Sequence, residues 1–202
     1  GGVSVSRNLF SSGDAGLKTL RRSDDGILFE RNTEIWFTAG TPESTRLVTR
    51  LPAGGIHSPA VTIGQNTWFF TTDLNESPGH LSLTRTDGTA AGTTRVMDFP
   101  ETKSGILINS LSAAGGKLIF GRVDVVTGES EIWISDGTVK GTATISSDVI
   151  LRPGMPSAFV HYDHGIAFAA ATPETGFEPF RINTTIHVTP PDLITAAGHG
   201  NR

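Results

Sequence analysis

The chain repeats one short motif, and the period of the repeat limits the folds open to it. LTRTDGTAAGT at 83–93 returns 49 residues later as IWISDGTVKGT at 132–142. Aligned on the turn of this motif, four related dipeptides follow one another at steps of 48, 49 and 46 residues: Gly40-Thr41, Gly88-Thr89, Gly137-Thr138 and Asn183-Thr184. A period of about 40–50 residues is typical of a four-stranded propeller blade.

A second marker divides the chain into the same four units. A glycine followed by a large aliphatic residue opens each unit, which gives boundaries of about 16–54, 55–103, 105–153 and 154–195. Each unit then contains a strand with an aromatic residue at or near its end, in the order GILFE, NTWFF, GKLIF and GIAFA. Such short β-branched and aromatic runs, entered from Gly or Asn, predict strands, and no window has a helical period.

Four strands, a to d, are therefore predicted in every unit, with the repeated turn between c and d. A lone meander of this kind cannot bury both of its faces, so neighbouring units must stack face to face. We predict an all-β fold: a β-propeller of four blades, each of four antiparallel strands. The aromatic residues expected between the blades are Trp36, Phe70, Phe120, Trp133 and Phe168.

The two ends of the chain suggest how the ring closes. Residues 3–13 resemble 143–154, the d strand of the third unit, so the sequence predicts an outer closing strand at about 3–12 that completes the last blade. The alternative is that 186–195 is the fourth unit's own d strand, which would leave the N-terminal strand spare or the chain a fragment of a longer array. Pro190 and Pro191 favour closure, because neither can donate to a ladder. The whole chain, 1–202, is then one domain with a flexible tail at 196–202.

Composition excludes several classes of partner. The net charge is −4, with 16 basic and 20 acidic residues interspersed, so the basic surface that nucleic acid requires is missing. No apolar run reaches the roughly 18 residues of a membrane span, and membrane insertion is not expected. Cysteine is absent, which excludes disulfides and leaves the cellular compartment open.

The turn motif resembles that of the bacterial ELWxxDGT repeat proteins. Unit two keeps the Asp-Gly-Thr but has LSL for ELW, unit one has Ala39 in place of the Asp, and unit four retains little of the pattern. Unit three matches at Glu131, Trp133, Asp136, Gly137, Thr138, Gly141 and Thr142. The resemblance implies a β-propeller in a secreted or surface-attached bacterial protein, and it supplies no catalytic residues.

The turn residues themselves have a structural explanation. Glycine accepts positive φ, and Asp can hydrogen-bond the backbone two residues on. The residues assigned to the turn are Gly40, Thr41, Asp87, Gly88, Thr89, Asp136, Gly137 and Thr138. A cation site at Asp87 and Asp136 is the alternative, but calcium takes six to eight oxygens and each turn supplies one Asp.

A second set of candidate ligands lies in the fourth unit. The segment HYDH places His161, Asp163 and His164 in an a–b turn where the other units are bland. They are weak metal candidates, because His161 and His164 would face opposite sides of an extended segment and no third strong ligand is evident. No cofactor is predicted, and a cation in the central channel is left open.

The remaining route to function is the channel mouth. The sequence contains no G-x-S-x-G, no phosphate loop and no H-E-x-x-H, so enzymatic activity is not expected. In a propeller the a strands line a channel whose mouth can present polar side chains. Residues near the a-strand starts are the candidate ligand contacts: Lys18, His57, Ser58, Asn109, Ser110 and Ser157.

These features favour a non-enzymatic bacterial binding or adhesion module, secreted or at the cell surface, that presents a polar channel mouth to a glycan or a protein. A structural or spacer domain of a larger surface protein is the first alternative. A hydrolase or lyase with carboxylates at the channel mouth is the second. The sequence leaves the oligomeric state open.

Overall fold

The computed structural model describes residues 17–75, 80–99, 106–146, 150–151, 159–162, 165–172, 176–183 and 195–196. Within these ranges the chain forms β-strands joined by turns and loops, and no helix. The all-β class predicted from the sequence is therefore confirmed.

The strands form four sheets, each with its four strands in chain order and every pair antiparallel. Sheet one contains β1 (Lys18–Ser23), β2 (Gly26–Arg31), β3 (Glu34–Thr38) and β4 (Arg46–Arg50). Sheet two contains β5 (Val61–Ile63), β6 (Asn66–Asp73), β7 (His80–Thr86) and β8 (Thr94–Phe99). Sheet three contains β9 (Ile106–Ala114), β10 (Lys117–Asp124), β11 (Ser130–Ser135) and β12 (Thr142–Ser146). Sheet four contains β13 (Val160–Tyr162), β14 (Gly165–Ala171), β15 (Phe177–Asn183) and β16 (Thr195–Ala196).

The second strand of each of the middle sheets is apolar on both faces. Successive residues of a strand point to opposite sides of the sheet. In β10, Phe120 belongs to an apolar cluster with residues of sheet two, whereas Ile119 belongs to a cluster with residues of sheet four. This explains why these strands are continuous apolar runs rather than alternating ones.

Three apolar clusters join consecutive sheets face to face. Leu28 and Phe69 belong to the cluster between sheets one and two. Between sheets two and three, the rings of Phe70 and Phe120 meet edge to face with centroids 4.9 Å apart, and Phe99 packs against both. The cluster between sheets three and four contains Phe168. Each buried ring removes roughly 150–250 Å² from water, so these clusters stabilise the contact between sheets.

The Glu-x-Trp part of the repeat has its own structural use. Residues two apart in a strand share a face, and the indole Nε1–H of Trp133 donates to Glu131 Oε2 at 3.0 Å. Trp36 donates to Glu34 Oε2 at the same distance. The glutamate thus satisfies the one polar group of a half-buried tryptophan.

The outer edge of sheet four differs from the arrangement favoured by the sequence. β16 pairs with β15, with Phe180 opposite Ala196 and Arg181 opposite Thr195. At these two positions the C-terminal segment occupies the edge expected for the N-terminal strand, as in the alternative, and the strand reaches one residue into the predicted tail. Residues 3–12, to which ring closure was assigned, lie outside the described part of the chain.

The Asp-Gly-Thr turn is a closed hydrogen-bond circuit. In sheet two, the carboxylate Oδ1 of Asp87 accepts from the amide of Thr89 at 2.8 Å and from its hydroxyl at 2.7 Å. The hydroxyl of Thr89 accepts from Gly92 N at 3.0 Å, and Thr93 donates back to the Thr89 carbonyl at 2.7 Å. The turn in sheet three repeats these contacts around Asp136. These hydrogen bonds explain why the turn contains an Asp, a Gly and two Thr residues.

Sheet one builds the same turn with a different pair of residues. A Cβ added at Gly92 would overlap the carboxylate of Asp87, so the Asp requires a glycine five residues later. In sheet one the two corresponding positions are Ala39 and Ser44, and the Ser44 hydroxyl accepts from Thr41 N at 3.2 Å. Serine therefore takes the acceptor role of the missing carboxylate.

The glycine in the middle of the turn is needed for two reasons. Gly40, Gly88 and Gly137 have φ of 98°, 97° and 87°, a region that side chains disfavour. A Cβ at Gly137 would also collide with the ring of Trp68 in the preceding sheet, and Arg21 of sheet one lies against Gly88. The repeated turn is thus also an inter-sheet contact.

The exchange of Asp and Gly for Ala and Ser can be tested in sheet two. We expect G92S to destabilise the fold by about 1–3 kcal/mol because the new Cβ overlaps the Asp87 carboxylate. D87A should cost about 0.5–1.5 kcal/mol through lost hydrogen bonds. The double variant D87A/G92S should be more stable than either single variant. Urea unfolding measures all three.

The matched control for this series is Gly176→Ala, at an exposed site where an added Cβ meets nothing. It should leave the free energy of unfolding within about 0.5 kcal/mol of the parent. Additive losses in D87A/G92S would contradict the exchange.

The turn carboxylates also make the fold sensitive to acid. The Thr89 hydroxyl, followed by the Thr89 amide, lowers the pKa of Asp87 below its ordinary 3.8, and the Thr138 hydroxyl does the same for the pKa of Asp136. Their contribution is complete above pH 3.8 and is lost as pH falls through the lower folded-state pKa values. We expect D87N/D136N to lose less melting temperature than the parent between about pH 5 and pH 2.

Asp24→Asn, on an exposed turn, is the control for this experiment. An acid response in D87N/D136N as large as that of the parent would assign the sensitivity to other groups.

Candidate functional site

Two charged residues of sheet one hydrogen-bond to the backbone of the segment that leads into sheet two. Lys18 and Glu30 are cross-strand partners on β1 and β2. The Lys18 ammonium donates to the carbonyl of Ser58 at 2.5 Å, and Glu30 Oε1 accepts from the amide of Ile56 at 2.9 Å. We call Lys18, Glu30 and the 54–58 segment the clasp.

The Ser58 hydroxyl helps to hold the clasp in place. It accepts from the amide of Phe70 at 2.9 Å and donates to the carbonyl of Pro59 at 2.7 Å. The amide of Phe70 is thus satisfied by a side chain, and the Ser58 carbonyl accepts from Lys18. Ser58 is only 3% exposed, so this predicted ligand contact belongs to the scaffold.

A glycine lets the chain approach the carboxylate. Gly55 has φ of 67°, and a Cβ there would lie 2.9 Å from Glu30 Oε1. The Gly that opens the second unit is therefore a site of close approach as well as a turn residue.

Burial dominates the electrostatics of the clasp. Glu30 is 8% exposed. Burial raises the pKa of Glu30, while the Ile56 amide, Lys18 and His57 act in the opposite direction. Burial also lowers the pKa of Lys18, against the attraction of Glu30. Burial therefore disfavours the charged form of each residue, and the attraction between the two residues favours it.

His57 completes the group on the exposed side. Its Nε2 lies 2.7 Å from the carbonyl of Gly54. A carbonyl only accepts, so Nε2 carries the hydrogen, and Nδ1 of the neutral ring is an acceptor. The ring is exposed, and in its protonated form its charge lowers the pKa of the Glu30 carboxyl.

The other predicted site residues are not brought into this group. Ser110 lies half-buried on β9, opposite Gly121. Asn109 is on the same strand and His161 is on β13, but their side chains are not described. Ser157, Asp163 and His164 lie outside the described residues. Among the residues that are described, no three His, Cys, Asp or Glu side chains group as metal ligands.

Sequence reasoning missed Glu30. The residues at its position in the second strands of the other three sheets, counted from the a–b turn, are Phe70, Gly121 and Ala169. A carboxylate directly after the apolar residues Ile27–Phe29 of the strand was the signal that could have identified it.

Comparison with known proteins gives distant structural similarity alone. No protein-family profile and no curated protein matches the chain. A prolyl endopeptidase, from a structural and mechanistic study of two such enzymes, aligns with a TM-score of 0.48 and 13% identity over 86% of this chain and 25% of its own. A puromycin hydrolase mutant complexed with PGG aligns with a TM-score of 0.39 and 14% identity over 90% of this chain and 40% of its own. The chain thus spans about a quarter of the length of the first protein and about two fifths of the length of the second.

In the described part of the chain, no helix has the length and apolar character needed to cross a bilayer.

The clasp predicts unequal effects for two substitutions of Glu30. Glu30→Ala removes the acceptor of the Ile56 amide and the counter-charge of Lys18, so it should cost about 1–3 kcal/mol of stability. Glu30→Gln keeps a carbonyl acceptor and should cost less. Urea unfolding of both variants, with the exposed Glu43→Ala as control, measures the difference. Equal stability of E30A and the parent would mean that the clasp does not hold the sheets together.

Proposed function

We propose that the chain is a four-bladed β-propeller that works as a non-enzymatic binding module. Support for the architecture comes from the four meanders and from the clusters that stack each on the next. The first strands are adjacent as well, since β5 contacts both β1 and β9. Blades arranged around a common axis would bring their first strands together in this way.

Burial in sheet one supports closure of the ring. Phe29 follows Leu28 in β2 and therefore lies on the opposite face, away from the cluster with sheet two. Phe29 is nevertheless only 5% exposed. On the same face Ile27 is exposed, so the cover is local to Phe29, and in a closed ring the fourth blade or the N-terminal strand would supply it.

The observation that carries the binding function is the position of Lys18 and His57. Lys18 begins β1, the first strand of sheet one, and His57 lies shortly before β5, the first strand of sheet two. Both residues therefore lie where the first strands of their sheets begin. Both side chains are polar and partly or fully exposed, beside a buried carboxylate. Such a group at the mouth of a channel can hydrogen-bond a ligand without any chemical step.

The proposed partner is a glycan or a protein outside a bacterial cell. Resemblance of the turn motif to the ELWxxDGT repeat proteins supports a secreted or surface location. A spacer domain of a larger surface protein would use the same fold and would not depend on the clasp residues.

A hydrolase is the second candidate, and one observation favours it. Burial raises the pKa of Glu30, and Lys18 and His57 lie beside it, which is a combination found at catalytic sites. Turnover of chromogenic glycosides that is lost in Glu30→Gln would favour this candidate over the binding module.

The binding proposal is tested with a glycan array and a protein pull-down on the intact chain. We expect a positive signal that falls about tenfold or more in Lys18→Ala/His57→Ala, because charge-assisted hydrogen bonds are lost. Lys140→Ala, on an exposed turn at the other end of its sheet, should bind as the parent does. Empty results in both assays, or full binding by the double variant with unchanged melting, would contradict the proposal.

A further inference from the structure

The ammonium of Lys18 is held by one hydrogen bond and has further donors for a ligand. An ammonium has three donors, and within the described residues that of Lys18 makes one hydrogen bond, to the Ser58 carbonyl. Glu30 is its opposite charge, but the Glu30 Oε1 atom is occupied by the Ile56 amide and the residue is almost fully buried. From solvent, the accessible charge of the clasp is therefore the positive one.

The neighbouring imidazole presents the complementary group. His57 Nε2–H donates to Gly54 O, so the neutral ring offers Nδ1 as an acceptor on an exposed side chain. A ligand that fits both residues carries an anionic acceptor for Lys18 and a hydroxyl donor for His57. A carboxylate with a hydroxyl on an adjacent ring carbon has this pattern.

From this pattern we infer that the clasp binds an acidic sugar, with a uronic acid carboxylate on Lys18 and a neighbouring ring hydroxyl on His57. The inference rests on the proposed binding function and names its ligand class. A pyranose is favoured over a peptide C-terminus because its ring holds the carboxylate and the hydroxyl in fixed relation. A site with few polar contacts gains most from a ligand that loses little freedom on binding.

The test compares trigalacturonate, whose non-reducing ring has a carboxylate beside a free ring hydroxyl, with its fully methyl-esterified form, which has the same rings and no charge, by isothermal titration against the intact chain. We expect the acid to bind about tenfold or more tighter than the ester, since the charge-assisted bond is lost with the carboxylate. Lys18→Met should abolish this preference, and Lys140→Met should keep it. Circular dichroism and melting check that each variant is folded.

A second measurement needs no variant. Raising salt from about 50 mM to about 500 mM should weaken binding of trigalacturonate by the parent chain and leave the ester unchanged, because screening acts on the charged pair. Equal affinity for acid and ester, or a preference that survives in folded Lys18→Met, would overturn the inference.

The remaining outcomes separate this inference from the function on which it rests. Array signals confined to neutral glycans, or competition by a peptide with a free C-terminus but not by trigalacturonate, would overturn the ligand class and keep the binding module. Array and pull-down experiments that are both empty would remove the binding function and the ligand class together.

Discussion

Face-to-face packing of consecutive sheets is the constraint on which the rest of this structure depends. A four-stranded meander with a strand that is apolar on both sides would expose apolar surface to water if it stood alone, and here each sheet supplies rings or aliphatic side chains to the next. The aromatic group of Phe70, Phe99 and Phe120 shows the arrangement most clearly. The turn motif follows from the same stacking, because Gly137 must admit the ring of Trp68 from the neighbouring sheet.

The regular parts of the fold could be predicted from the sequence because they depend on local chemistry. Strand order, the a–b and c–d turns and most of the aromatic filling follow from a period of two and from turn residues. The contact of Glu30 could not be predicted, since its partner Ile56 lies 26 residues away and meets it only when two sheets stack. For the same reason Ser58 was assigned to ligand contact, although packing buries its hydroxyl against the backbone of Phe70.

The clasp buries two charged groups where the first two sheets meet, and their loss of hydration costs free energy. Lys18 and Glu30 each lose hydration, and each is compensated by a backbone group of the 54–58 segment as well as by the other's charge. A pair of apolar residues could join the sheets without this cost. The same two charged residues join the sheets and lie beside an exposed imidazole, so the packing of the sheets and the proposed binding of an acidic sugar depend on one group.

The two versions of the repeated turn restrict the order in which one can change into the other. A chain that replaces the glycine first must place a serine Cβ inside the carboxylate of the Asp, whereas a chain that first replaces the Asp with Ala loses hydrogen bonds and meets no overlap. The intermediate without overlap therefore has Ala at the position of Asp87 and still has Gly at the position of Gly92. Units that look degraded by the Asp-Gly-Thr consensus can therefore contain fully formed turns, as sheet one does with Ala39 and Ser44, and sequence scoring that treats the two positions independently will miss such turns.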